Sequence, residues 1–219
     1  MTSAFSKDIA KAKRALCTLP CVWDGKKSVL ELKEADYHWR EMEWWAYYFE
    51  YLCHQRIAND FQIPGYRFGK VGFDLRGSVN WDLKAKAIKS DKHSCILNDC
   101  IATDAAVEKY GEHGVIIALC GVEYDVNRTF QRWHSKLKGG LSDYEKERRA
   151  RTAVSRDRKT RAELVELLFL RIDRAALGRL GRMKQGRNSN GNPRREKYML
   201  DLEDVAEILV DRLTFGKSK

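Results

Sequence analysis

Between residues 79 and 87 the chain alternates strictly: Val79, Trp81, Leu83, Ala85 and Ala87 are apolar, and Asn80, Asp82, Lys84 and Lys86 stand between them. A period of two marks a strand with one face in a core and the other in a polar setting. The run before it, Tyr66, Phe68, Val71 and Phe73, is aromatic and β-branched, and Arg76-Gly77-Ser78 separates the two. Residues 66–75 and 79–88 therefore read as a β-hairpin. Residues 115–123 are apolar enough for a central strand, 197–202 suit a short one, and 164–172 fit either a strand or a helix. Elsewhere the period lengthens. Helices are predicted over 6–16, over 35–57 with Met42, Ala46, Phe49 and Cys53 at helical spacing, over 103–110 with Thr103 as N-cap, and over 142–161 behind a Ser142/Glu145 capping box. A last helix over 202–213 would gather Val205, Ile208, Leu209 and Leu213 on one face. The helix after Thr103 would link strand 79–88 to strand 115–123 as a β-α-β crossover, so the fold class is α/β, a mixed sheet flanked by helices.

At 219 residues and 43% hydrophobic, the chain can bury one substantial core, and a single domain over 1–219 is expected. No apolar run is long enough to cross a bilayer and the first residues carry no apolar leader stretch, which points to an intracellular, cytoplasmic protein without a membrane partner. The six cysteines form no CxxC pair and read as reduced, mostly buried thiols.

Charge divides the chain. Residues 128–161 hold twelve Lys/Arg against four acids and residues 171–197 nine against two, so these segments carry +8 and +7 of a total of +10 and the remainder is acidic. Within 1–219, then, 1–125 is expected to form a core with the chemistry and 126–219 a basic part that holds a polyanion, since neutralising phosphates releases condensed counterions. Arg148, Arg149, Arg151, Arg156 and Arg158 are the candidates for phosphate contact. Residues 185–196, QGRNSNGNPRRE, make a loop whose Gln185, Arg187, Asn188, Asn190, Arg194 and Arg195 have the groups that read base edges.

The hairpin carries the candidate chemistry. Side chains two apart on a strand share a face, so Asp82 and Lys84 project together, and the tight turn brings Asp74 close across the pair. Two carboxylates offer hard oxygen ligands suited to magnesium, with manganese as a substitute, and a lysine beside them can neutralise a phosphoryl oxygen or orient and help deprotonate a water. Alone, Asp-x-Lys also fits an exposed amphipathic strand. In the helix over 35–57, Glu43 and Glu50 lie seven residues apart on one stripe among Trp39, Trp44, Tyr47 and Phe49, where an unpaired carboxylate is costly. Either could face the metal, or form a salt bridge to Arg40 or His54.

With an acid-bearing helix before the hairpin and a basic half after it, residues 39–87 resemble the PD-(D/E)XK nuclease superfamily, to which many type II restriction endonucleases belong. Asp74 matches the family's first acid, Asp82 its second and Lys84 its lysine; Phe73 stands where the name-giving pattern has proline. The resemblance implies a restriction-endonuclease-like core and magnesium-dependent hydrolysis of double-stranded DNA at a specific sequence. Asp74, Asp82 and a helix glutamate such as Glu50 would hold the metal and Lys84 would attend the phosphate. A structure-specific repair or junction nuclease, or a DNA-binding protein without catalysis, are the alternatives. Cutting both strands of a symmetric site implies a homodimer, with the 202–213 helix as one candidate interface.

Overall fold

The structure, a computed structural model, describes residues 3–64, 72–88, 93–141, 143, 146–147, 150, 158–187 and 191–216. Its centre is a long antiparallel pair, β5 (Glu112–Tyr124) and β6 (Lys159–Asp173). Strand β3 (Asn80–Ala87) joins β5 in parallel, from Trp81 opposite Gly114 to Ala87 opposite Cys120, and β2 (Leu75–Arg76) closes the edge antiparallel to β3. On the far side β1 (Val22–Asp24) and β9 (Leu209–Thr214) both pair with β6, which completes a six-stranded mixed sheet. Between β3 and β5 the chain forms β4 (Ser94–Asp99) and then α4 (Cys100–Tyr110). With β8 (Lys197–Asp201) and β7 (Gly181–Met183), β4 builds a second, three-stranded sheet.

Both faces of the main sheet are covered. Helices α1 (Ala4–Leu16), α2 (Gly25–Glu34) and α3 (Trp44–Ile57) supply Phe5, Leu16, Val29, Trp44 and Phe49 to one core, with Trp81, Leu83, Ile116, Ala118, Leu167 and Phe169. The other core joins Val115, Ile117, Leu168 and Leu170 to Leu97, Val107, Tyr198 and Leu200. Ile116 and Ile117 thus serve opposite layers, as strand geometry requires. A strand buried on both sides has no polar alternation, which is why residues 164–172 are ambiguous in sequence and strand in structure.

Several expectations are corrected. The helix expected over 35–57 begins only at Trp44, because Asp36 and His38 take left-handed backbone (φ 51° and 41°) and break the chain between α2 and α3. Asp24 caps the unforeseen α2 by accepting from Lys27 N. The cap of α4 is Asp99, not Thr103. The helix expected over 202–213 is a 3₁₀ turn, Leu202–Glu207, followed by β9, whose exposure alternates residue by residue. Its apolar side chains go to two different cores, Val205 buried in one with Ile208 and Leu209 packed against it and Leu213 packed against the other, so the single apolar helix face expected there does not form. The strand expected over 66–75 lies mostly outside the described residues, as does the Ser142/Glu145 box; the helix expected over 142–161 cannot run to its end, since residues 159–161 belong to β6. Helix α5 (Thr129–Leu137) and strands β1, β4 and β7 were not anticipated. Among the described residues no helix is long and apolar enough to cross a membrane.

The β2–β3 turn is locked from below. Asp8 of α1 is buried, and its Oδ2 accepts from Ser78 N (2.6 Å), Ser78 Oγ (2.7 Å) and Trp81 Nε1 (3.2 Å). A Cβ on Gly77 would come within 2.4 Å of that oxygen. Asp8→Ala would strand these donors in a closed site and is expected to cost about 3 kcal/mol of unfolding free energy, read from urea denaturation; a change below about 1 kcal/mol would mean that water replaces the carboxylate.

Candidate active site

The turn places Asp74 directly across from β3. Its N–H donates to Trp81 O (2.9 Å), and its carboxylate Oδ2 accepts from Leu83 N (2.7 Å), so the side chain stands in for a strand partner where β2 is too short to supply one. Lys84 Nζ lies 3.7 Å from the same oxygen and donates to Leu83 O (3.1 Å). Asp82, on the face opposite Trp81 and Leu83, is 1% exposed. Its Oδ1 accepts from Asn98 Nδ2 (3.1 Å) and its Oδ2 pairs with His113 Nε2 (2.9 Å). The Asn98 amide also donates to Gly72 O (3.1 Å), tying together the segments that carry the two acids. From α3, Glu50 reaches the same cluster and accepts a hydrogen bond from the Tyr37 hydroxyl.

Three carboxylates in so small a space perturb one another. Burial and then the charge of Asp74 push Glu50 from its ordinary 4.5 up to about 7, against the Tyr37 hydrogen bond and Lys84. Asp74 is raised, chiefly by burial. For Asp82 burial acts upward too, but Lys84, His113 and Asn98 outweigh it and hold the group below its usual range. Lys84 is raised despite its burial, because Asp82, Asp74 and Glu50 surround it. Placed among those acids, it can neutralise charge and orient a water. Lys197, opposite Asp99 in the β4–β8 pair, is lowered by burial and by Lys84, which puts a second cation in the field of the cluster.

The hairpin and α3 thus bring together Asp74, Asp82, Lys84 and Glu50. Glu43 is not among them. It precedes the first turn of α3, half exposed, and binds Lys159 Nζ (2.5 Å) and Trp45 Nε1 (2.7 Å). Since the helix starts after Glu43, the stripe that paired it with Glu50 does not exist. Arg158 is also corrected: at 6% exposure, beside Glu43 and with its carbonyl accepting from Asp125 N, it is packed into the protein rather than offered to a phosphate. Arg148, Arg149, Arg151, Arg156, Asn188 and Asn190 lie outside the described residues. Gln185 is half-buried; Arg187, Arg194 and Arg195 are exposed on the β7–β8 connection, which is drawn closed by Arg194 N to Gly186 O (3.0 Å) and Arg187 Nη1 to Gly191 O (2.7 Å). Asn98, His113, Lys197 and Tyr37 were missed as neighbours of the acids. The signal available for His113 was a lone histidine at the head of an apolar strand, and for Lys197 a lysine opening one.

The donor set suits a hard divalent cation. Asp74 keeps about a quarter of its side-chain surface exposed, and its hydrogen bonds among the described residues fall on Oδ2, leaving Oδ1. The mutual repulsion of Glu50 and Asp74 is the strain a cation would relieve. The expected cage of Asp74, Asp82 and Glu50 is not closed: among the described residues no three His, Cys, Asp or Glu side chains form a group able to hold an ion. Compared with models of protein families, with curated proteins and with solved structures, the chain matches none of them.

Glu50 sets a pH dependence. Because its folded pKa is raised, the folded state holds this proton more tightly than the unfolded chain, and that contribution to stability is lost as pH rises from about 4.5 through about 7. In chelator, Glu50→Gln should therefore melt above the wild type at pH 8, with the gain shrinking towards pH 5. A difference that does not change with pH would contradict the assignment.

Proposed function

We propose that this protein is a magnesium-dependent endodeoxyribonuclease that hydrolyses phosphodiester bonds of double-stranded DNA at a specific sequence, as type II restriction enzymes of the PD-(D/E)XK superfamily do. The observation that carries the reading is the hairpin cluster, with Lys84 Nζ 3.7 Å from Asp74, Asp82 on the same strand face as Lys84, and Glu50 arriving from α3. Asp74 and Asp82 would hold the cation through lone pairs left by their protein partners, and Glu50, once ionised, would complete its outer shell. Bound there, magnesium or manganese supplies an acidified water and a polarised phosphate. Lys84, kept charged by its three acids, would orient the attacking water and neutralise the charge that builds on the phosphoryl oxygens.

The charge distribution supports DNA as the substrate, and the β7–β8 connection supports sequence choice. Its outgoing strand begins at Lys197, so base-reading arginines on the loop would be anchored to the strand that borders the acids. Two cuts of opposite polarity would come from a homodimer.

Incubating the chain with plasmid and phage DNA, in magnesium and in chelator, tests the reading: discrete fragments appearing only with the metal are expected. Asp74→Asn, Asp82→Asn and Lys84→Ala should each lower turnover by about a hundredfold or more while DNA binding persists, and Glu43→Gln should leave turnover in place. Wild-type turnover in Lys84→Ala would remove the catalytic assignment.

Replacing Arg187, Arg194 or Arg195 by Ala should cost about 1–3 kcal/mol on the preferred site and little on random DNA, measured by competition binding. Equal losses on both would refute base reading.

A further inference from the structure

We propose that His113 is a positioning residue: with the Asn98 amide it fixes the plane of the Asp82 carboxylate and so selects the lone pairs offered to a divalent cation. The proposal rests on the nuclease reading only for what the cation does.

The two residues that hold Asp82 flank the crossover helix. Asn98 lies just before α4, and His113 lies just after it, past Gly111, whose left-handed backbone (φ 81°) turns the chain into β5. The parallel register sets Val115 opposite Asp82, so His113 is two residues upstream on the neighbouring strand. Each donor takes a different carboxylate oxygen, at 3.1 and 2.9 Å. A carboxylate has about four acceptor directions, and it can turn about its Cβ–Cγ bond. Two N–H groups on opposite oxygens stop that turn and leave a defined pair of directions open.

His113 has no other visible purpose. It is 1% exposed, and its Nδ1 is buried without a hydrogen-bond partner among the described residues. With Nε2 directed at Asp82, the ring keeps a buried, unpartnered Nδ1 among the described residues, a cost that an apolar side chain of similar volume would avoid. The core around it, with Val115, Ile117 and Ile172, would accept such a side chain. What the imidazole adds is one donor aimed at the second acid, in the way that outer residues orient metal ligands elsewhere.

The test is Mn2+ titration of the full chain without nucleic acid, followed by calorimetry, alongside thermal melting. His113→Leu removes the donor; His113→Gln keeps an N–H at the reach of Nε2; His113→Asn keeps polarity but falls short. Leu and Asn are expected to weaken Mn2+ binding by about 10–100-fold, and Gln to restore most of it. The Asn variant carries the test if the Leu variant does not fold. Wild-type Mn2+ affinity in Leu or Asn overturns the proposal, as does a Gln variant that loses as much as Leu. A wild-type chain that binds no Mn2+ overturns the metal-dependent reading itself, which separates the two failures.

Discussion

The register of the β2–β3 hairpin is the constraint on which the site depends. Side chains on a strand alternate between faces, so a slip of one residue would send Asp82 and Lys84 into the aromatic core and bring Trp81 and Leu83 out in their place. Three contacts forbid the slip. Asp8 grips the turn at Ser78 and the indole of Trp81; the Asp74 carboxylate takes the N–H of Leu83; and the Trp81 ring lies so close over Gly114 that a Cβ there would fall 2.2 Å from it. Two of the contacts also serve the site, because Asp74 is itself one of its acids and Trp81 is the neighbour of another.

The same arrangement concentrates like charge where burial makes it expensive. Glu50, Asp74 and Asp82 share one ammonium, Lys84, with Lys197 behind it. A sequence selected for stability alone would not place an acid at Glu50, in a helix otherwise packed with Trp44, Trp45, Phe49 and Ile57. The aromatic core beneath α3 offsets that cost, and the unfavourable interaction is the reserve from which a cation would be bound. Asp82 is the exception. It is held below its usual range by Lys84, His113 and Asn98, against its burial.

Much of this was legible in sequence because it depends on local period. The alternation through Trp81, Leu83 and Ala85 marked β3, the turn at Gly77 marked the hairpin, and together they put Asp74, Asp82 and Lys84 in reach of one another. Misreadings arose where the backbone is set by tertiary contact. Val205, Ile208, Leu209 and Leu213 satisfy a helical stripe, while 209–214 show no polar alternation, and pairing with β6 decides for the strand, in which Leu209, Asp211 and Leu213 share the half-buried face. Nothing local shows that Asp36 and His38 turn left-handed, and so Glu43 seemed to share a helix with Glu50. Asn98 and His113 meet Asp82 only after α4 folds back across the sheet, a distance that sequence spacing does not encode.

The folding of the basic half onto the acidic one has a mechanical consequence. Residues 126–219 are not an appendage, since β6 is a central strand of the main sheet, β9 pairs with it, and β7 and β8 build the second sheet with β4. The exposed arginines of the β7–β8 connection therefore stand on the framework that fixes Asn98, and Arg195 itself lies 3.7 Å from Asp99, the residue that caps α4. The loop and the residues that hold Asp82 therefore share one framework, because the β4–β8 pair joins the strand that follows the loop to the segment that ends in Asn98 and Asp99.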